Sequence, residues 1–193
     1  MEENDPQLPP VSPLPRKAGL GVRCLAFTMD VLVVFAFWLF LTTKILLPEY
    51  HPTGLFELKQ LTEVYAEEVE QAMASGTQPP DDLIERIYEN ETIREMLDYS
   101  HGAAMLIFWA YFGLVEALLK GGTLGKSTFR LRAIKVETGQ PGNFLDHLTR
   151  GATKTIALLL IGPLLWINYL IPLLNQKRRA GHDFVCRTIV VAE

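Results

Sequence analysis

A carboxylate stands inside a long apolar stretch near the start of the chain. The stretch runs from Cys24 to Leu47, and Asp30 lies within it, seven residues after Arg23. An unpaired carboxylate surrounded by hydrocarbon is costly, so it either pairs with a cation or takes up a proton. Two roles suit such a group: carrying a proton or small cation along a transport path, or joining helices through an ion pair.

Arg23 and Asp30 each need a partner from another segment. On a helix they face the same side, but a spacing of seven residues separates them by about 10 Å along the axis. That distance is too long for an easy direct contact. We predict that Arg150 pairs with Asp30 and that Asp183 pairs with Arg23. These four residues form the candidate charged set.

Two further charged residues, Glu116 and Lys126, are secondary candidates. Glu116 precedes Lys120 by four residues, the favourable order for a local ion pair on one helix face, and we expect that pair at the membrane edge. The stretch G-G-T-L-G-K (121–126), which ends in Lys126, invites comparison with a phosphate-binding loop. Its glycine spacing is wrong for that loop, and an apolar helix rather than a strand precedes it, so we reject a nucleotide site.

Three apolar blocks must position these residues. They cover about 18–47, 100–119 and 152–174, and each is long enough to cross a bilayer core as a helix. Polar segments separate them, which argues against buried helices of a soluble protein. The chain is therefore predicted to be an all-α membrane protein with two firm transmembrane helices and a third apolar segment broken at Pro163.

The third block admits two topologies. Basic residues flank both of its ends, and lysine and arginine favour the cytoplasmic side of a membrane. A re-entrant hairpin that bends near Gly162–Pro163 keeps both ends inside, whereas the alternative is a full third span. Two β-like stretches, around 129–136 and at 188–191, can pair only on one side of the membrane. Their pairing as a small cytoplasmic β-hairpin-like element favours the re-entrant hairpin.

The remaining segments differ sharply in charge. Residues 48–100 carry 13 acids and 3 bases, and their apolar residues recur at helical spacing. We predict that 48–99 is an acidic helical loop outside the plasma (inner) membrane, with the N-terminus in the cytoplasm. Residues 1–17 hold five prolines and no periodic pattern, which predicts a disordered cytoplasmic tail.

With these features in place, the chain resembles the RDD family of small integral membrane proteins, which is named for an arginine and two aspartates. The matching residues and stretches are Arg23, Asp30, Asp183, Arg150, 121–126, 131–136 with Gly139, and 188–191. The resemblance covers a membrane domain over about 18–191, interrupted by an insertion at 48–99 that is long and acidic for the family. It implies cation/proton exchange, suggested for some members, or a regulatory role, suggested for others.

Two functions remain open. The first is a cation or proton transporter, or a subunit of one, in which Asp30 is the protonatable group; since two or three spans cannot enclose a path, this requires a homo-oligomer or a membrane-protein partner. The second is a non-enzymatic adaptor or regulator that binds another membrane protein through the acidic loop. We expect contact with membrane lipid, but no enzyme activity, cofactor, metal, nucleotide or nucleic acid, because the chain shows no matching motif.

Overall fold

The fold is known from a computed structural model that describes residues 16–159 and 180–192, except the side chain of His182. Its helices are α1 (Leu20–Tyr50), α2 (Pro52–Ser75), α3 (Leu83–Glu89), α4 (Glu91–Leu118), α5 (Leu124–Thr128), α6 (Phe144–Leu159) and α7 (Gly181–Val185). Its strands are β1 (Leu131–Lys135) and β2 (Thr188–Ala192). The predicted bend near Gly162–Pro163, and with it the choice between hairpin and third span, falls outside these residues.

Two helices, α1 and α4, are long and apolar enough to cross a membrane. The mean hydropathy of their most apolar 18-residue windows is 2.3 in α1 and 1.4 in α4. Only 17% and 28% of those windows are buried inside the protein, so most of their apolar side chains face outward. Outward-facing apolar surface of this extent suits contact with lipid rather than with water. Both apolar helices that the sequence predicts are therefore present, and each is long and apolar enough to span a membrane.

Each of these helices contains one π-helical segment, Thr42–Leu46 in α1 and Tyr111–Val115 in α4. Such segments are rare and often lie at functional sites. The segment in α4 includes Gly113, which packs on Gly151 of α6. A Cβ on Gly151 would lie 2.5 Å from the backbone nitrogen of Gly113, so only glycine permits this approach. Close contact through small residues is the usual way that helices associate in membranes.

The acidic segment folds as helices against the start of α4. Ile93 and Met96 are buried there together with Leu47, and residues of α2 pack on them. Asn90 caps α4, because its side-chain oxygen accepts a hydrogen bond from the Ile93 amide at 3.0 Å. Arg86 of α3 ties α3 to α2 through Glu68, at 2.9 Å. The sequence predicts an acidic helical loop here, and its side of the membrane stays a prediction.

The two strands pair in antiparallel fashion, with Leu131 opposite Ala192 and Lys135 opposite Thr188. The predicted pairing of the β-like stretches is confirmed. Residues just before α1 lie along the other edge of β2: the amide of Ala18 donates to the carbonyl oxygen of Val190 at 3.2 Å. Lys17, which the sequence assigns to the end of a disordered tail, also bridges to β2. The sheet therefore joins both ends of the described chain.

The start of α6 is fixed by a capping box and tied to the sheet. The amide of Asp146 donates to Asn143 Oδ1, and the amide of Asn143 donates to Asp146 Oδ2, both at 2.8 Å. Lys135 of β1 is 2.8 Å from the same carboxylate. Although partial burial acts against ionisation, the hydrogen bonds from Lys135 and Asn143 hold the pKa of Asp146 below its usual value.

Candidate functional site

A cluster of charged side chains lies between the inner faces of α1, α4, α5, α6 and α7. We call it the charged cluster, and its members are Arg23, Asp30, Glu116, Lys126, Arg150, Lys154 and Asp183. All of them except Arg23 are buried. Five elements contribute to the cluster, so it forms only when the chain is fully folded.

Glu116, which is fully buried near the end of α4, is the centre of the cluster. Its Oε1 accepts a hydrogen bond from Arg150 Nε at 2.7 Å. Its Oε2 is 2.5 Å from Lys154 Nζ and 2.9 Å from Lys126 Nζ. A single carboxylate therefore forms ion pairs with three basic side chains and partly neutralises their charge. The predicted local pair with Lys120 is wrong, because the Glu116 side chain points toward α5 and α6 instead.

Helix spacing explains two of these contacts. Arg150 and Lys154 are four residues apart on α6, so their side chains leave the same face of that helix. The glycine contact between Gly113 and Gly151 brings this face against α4 close to Glu116. The sequence reasoning missed Lys154. The sequence feature that could have identified Lys154 is its position, four residues after Arg150 and at the start of an apolar block.

Asp183 connects the cluster to α1. Arg23 Nη2 is 2.5 Å from Asp183 Oδ2, and Arg150 Nη1 donates to Asp183 Oδ1 at 2.8 Å. Arg150 Nη1 also bonds the hydroxyl of Thr188 on β2. The predicted pair of Arg23 with Asp183 is confirmed. The resulting chain of alternating charges, from Arg23 through Asp183 and Arg150 to Glu116, links four helices.

Asp30 is held by a different set of groups. Its Oδ1 accepts hydrogen bonds from the Tyr111 hydroxyl at 2.6 Å and the Gly125 amide at 2.7 Å. Its Oδ2 accepts one from the Thr123 hydroxyl at 2.5 Å. Within the described part of the chain these donors are all uncharged. The predicted pair of Asp30 with Arg150 is therefore wrong: the loop before α5 supplies neutral donors, and Glu116 and Asp183 take up the guanidinium.

These contacts make Asp30 a cap for the short helix α5. Free backbone amides at a helix start bind carboxylates well. Thr123 is the residue before the helix, and Gly125 follows at its second position. A Cβ on Gly125 would lie 2.0 Å from the carbonyl oxygen of Ala26, so glycine is needed for α5 to reach α1. The loop-like stretch 121–126 does bind an anion with its backbone, and that anion is the protein's own carboxylate.

Lys126, the last residue of this stretch, turns back toward Glu116. Its Nζ donates to the carbonyl oxygen of Gly121 at 3.3 Å in addition to the contact with Glu116. Burial lowers the pKa of Lys126 to about 7, although the attraction of Glu116 acts in the opposite direction. Lys154 and Arg150 lower it further by repulsion. A lysine with this pKa exchanges its proton near neutral pH.

A cavity of about 40 Å³ adjoins the cluster, and its wall includes Asp30, Lys126, Arg150 and Lys154. A water molecule needs roughly 10–15 Å³ of such space, so the cavity is large enough for more than one. Arg150 Nη2 is buried and has no hydrogen-bond partner among the residues described. His147 is also buried, and its Nδ1 is 3.6 Å from Glu116 Oε1, too far for a hydrogen bond.

Comparison with known proteins assigns the family. The model of the RDD family matches residues 17–187, which include all seven members of the charged cluster. Searches of curated proteins and of solved structures found no match. The match covers most of the chain, and two of its helices are candidate membrane spans. The chain therefore belongs to the RDD family and is a membrane protein.

Proposed function

We propose that the protein is a subunit of a membrane transporter that moves protons or small cations, and that the buried contact between Glu116 and Lys126 carries the proton. This contact is the observation that supports the proposal. An ion pair within or beside a membrane helix is expensive to bury, and such groups commonly mark a proton or ion path. Here the pair also adjoins a cavity.

The charges favour a proton over a metal cation. The charged cluster holds four basic residues (Arg23, Lys126, Arg150 and Lys154) and three carboxylates (Asp30, Glu116 and Asp183). An entering metal cation would meet like charges at close range. A proton avoids this cost, because it can be carried by Lys126 itself. With a pKa of about 7, Lys126 can accept a proton and release it at physiological pH.

Each residue of the pair has a distinct role in this proposal. Lys126 in its neutral form accepts a proton from the cavity, and Glu116 stabilises the ammonium ion that results. Release of the proton restores the neutral amine. Asp30 is a positioning residue, since it caps the helix that carries Lys126 and does not itself contact the amine. Two or three spans cannot enclose a path, so the transporter requires a second copy of the chain or a membrane-protein partner.

A flux assay tests this function. The protein is reconstituted into liposomes with a pH-sensitive dye inside, and a pH gradient is imposed. We expect proton flux with the wild type and at least a tenfold loss with Glu116→Gln. Glu89→Gln, on an exposed residue of α3, is the matched control and leaves the flux unchanged. Equal flux from wild type and Glu116→Gln would contradict the proposal.

The acidic segment supports a second function, that of an adaptor. Its helices expose large apolar side chains, including Phe56, Val64 and Met73 of α2, beside many carboxylates. A basic membrane-protein partner with an apolar strip would fit this surface. Cross-linking in native membranes tests the idea: reversal of the α2 acids by Glu63→Lys and Glu67→Lys would abolish the cross-linked species. An unchanged cross-linking pattern would contradict the proposal that the protein is an adaptor.

A further inference from the structure

We propose that the cavity in the charged cluster binds the phosphate group of an anionic phospholipid, whose acyl chain lies in an apolar groove between α1 and α4. This inference does not rest on the proposed transport function. Two independent features carry it: an excess of buried positive charge at the cavity, and the position of the groove relative to it.

The excess of positive charge is local and buried. Lys126, Arg150 and Lys154 all contact the carboxylate of Glu116, and Arg150 also contacts Asp183, which it shares with Arg23. Asp30 lines the same cavity, but its oxygens are used by the start of α5. Among the residues that the structure describes, no other carboxylate pairs with these three basic side chains. An uncompensated buried cation is costly, and an anion in the cavity would remove that cost.

Arg150 offers a donor for such an anion. Its Nε and Nη1 are used by Glu116 and Asp183, whereas Nη2 has no acceptor within the described residues. A guanidinium group is well suited to phosphate oxygens, because its planar donors match their geometry. Lys154 on the same cavity wall adds an ammonium group, and Lys126 adds a second one when it is protonated. These side chains therefore offer donors to a phosphate from both α5 and α6.

The groove identifies the source of the phosphate as a lipid. It has a volume of about 470 Å³ and an almost wholly apolar lining that includes Val33, Phe37, Ala110 and Leu114. On α1, Val33 and Phe37 lie three and seven residues after Asp30, so cavity and groove follow one face of the helix. The hydrogen bond between Asp30 and Tyr111 lies where they meet, since Asp30 lines the cavity and Tyr111 lines the groove.

This arrangement matches the two ends of a phospholipid. Basic pockets between membrane helices bind anionic head groups, and an acyl chain needs an adjoining apolar surface. Inorganic phosphate has the same oxygens but no chain to fill the groove. A zwitterionic phospholipid would fill the groove but bring a cation with its phosphate. The two parts of the site therefore favour a lipid with a net negative head group.

Thermal unfolding of the purified, delipidated protein in detergent tests the site. We expect phosphatidylglycerol to raise the unfolding temperature in a saturable way, whereas phosphatidylcholine with the same acyl chains and inorganic phosphate have little effect. Equal stabilisation by phosphatidylcholine would overturn the role of the cations. Equal stabilisation by inorganic phosphate would overturn the lipid as occupant.

Variants separate the two halves of the site. Lys154→Met should weaken the apparent affinity for phosphatidylglycerol at least tenfold, whereas Lys44→Met, on an exposed lysine of α1 away from the charged cluster, should not. Because Lys154→Met removes a buried partner of Glu116, Ala110→Trp provides a second test that alters no charge. Its indole would fill the groove and should also weaken binding at least tenfold. Full affinity in Ala110→Trp would overturn the proposal.

Discussion

The Oδ1 atom of Asp30 accepts a hydrogen bond from the Gly125 amide at 2.7 Å, across 95 residues of sequence. This contact fixes the start of α5 against α1, and α5 carries Lys126 to Glu116. The carboxylate of Asp30 thus organises the charged cluster although it takes part in none of the ion pairs described there. Four predictions on stability follow from the contacts around it, and a final one concerns transport.

Replacement of Asp30 tests its positioning role. Asp30→Ala leaves the Tyr111 and Thr123 hydroxyls and the Gly125 amide without their acceptor. Each buried donor that water does not reach then lowers the free energy of unfolding by about 1–3 kcal/mol. We expect a large fall in the free energy of unfolding in detergent, and a smaller fall for Asp30→Asn, which keeps one oxygen. Asp98→Ala, on an exposed position of α4, should change little. Wild-type stability in Asp30→Ala would show that the capping contacts are unimportant.

Gly125 tests the close approach of α5 to α1. In Gly125→Ala the new methyl group would stand 2.0 Å from the Ala26 carbonyl oxygen, so α5 must move away. We expect loss of stability by thermal unfolding, together with weaker contact of Lys126 with Glu116. Gly102→Ala is the matched control, because no atom lies within 4 Å of the new methyl there. That change should be neutral or stabilise by up to about 1 kcal/mol, since alanine favours helix. Similar effects from both changes would argue against the close approach.

The prediction of this architecture from sequence succeeded where one physical signal was sufficient. Hydropathy identified α1 and α4, and alternation identified the strands, because both signals are local. The pair of Arg23 with Asp183 was predicted because buried charges need partners. The hydrogen-bond donors to Asp30 were not predicted. They include the backbone amide of Gly125, and the position of that amide depends on how the loop at 121–126 folds. Glycine at position 125 permits that fold, but the need for glycine there is evident only from the short distance to Ala26 in the structure.

Arg150 tests the ionic part of the charged cluster. Arg150→Met leaves Asp183 without one partner and Glu116 without another, and removal of one member of a buried ion pair typically costs about 3–5 kcal/mol. Arg150→Lys should recover only part of this loss, because a single ammonium group cannot bridge both carboxylates. Arg94→Met removes an exposed arginine whose contact with Glu91 is 3.7 Å long, and should have little effect. Full recovery by lysine would contradict the bridging geometry.

Lys126 gives the stability a distinct dependence on pH. Burial lowers its pKa in the folded protein from 10.5 to about 7, so between these values the unfolded chain binds more protons at this position. The contribution of Lys126 to the free energy of unfolding therefore rises with pH, and it is lost as pH falls toward 7. Chemical unfolding of the wild type and Lys126→Met at pH 7 to 9 measures it. The wild-type stability should increase more steeply, and parallel curves would contradict the buried state of the amine.

The most direct test of the proposed function is proton flux through Lys126→Arg in proteoliposomes. Arginine keeps the positive charge beside Glu116 but does not release its proton at accessible pH, whereas lysine in this site does. We predict at least a tenfold loss of flux in Lys126→Arg, with wild-type flux in Lys44→Arg, an exposed site on α1. Flux in Lys126→Arg equal to that of the wild type would contradict proton transfer through the Glu116–Lys126 contact.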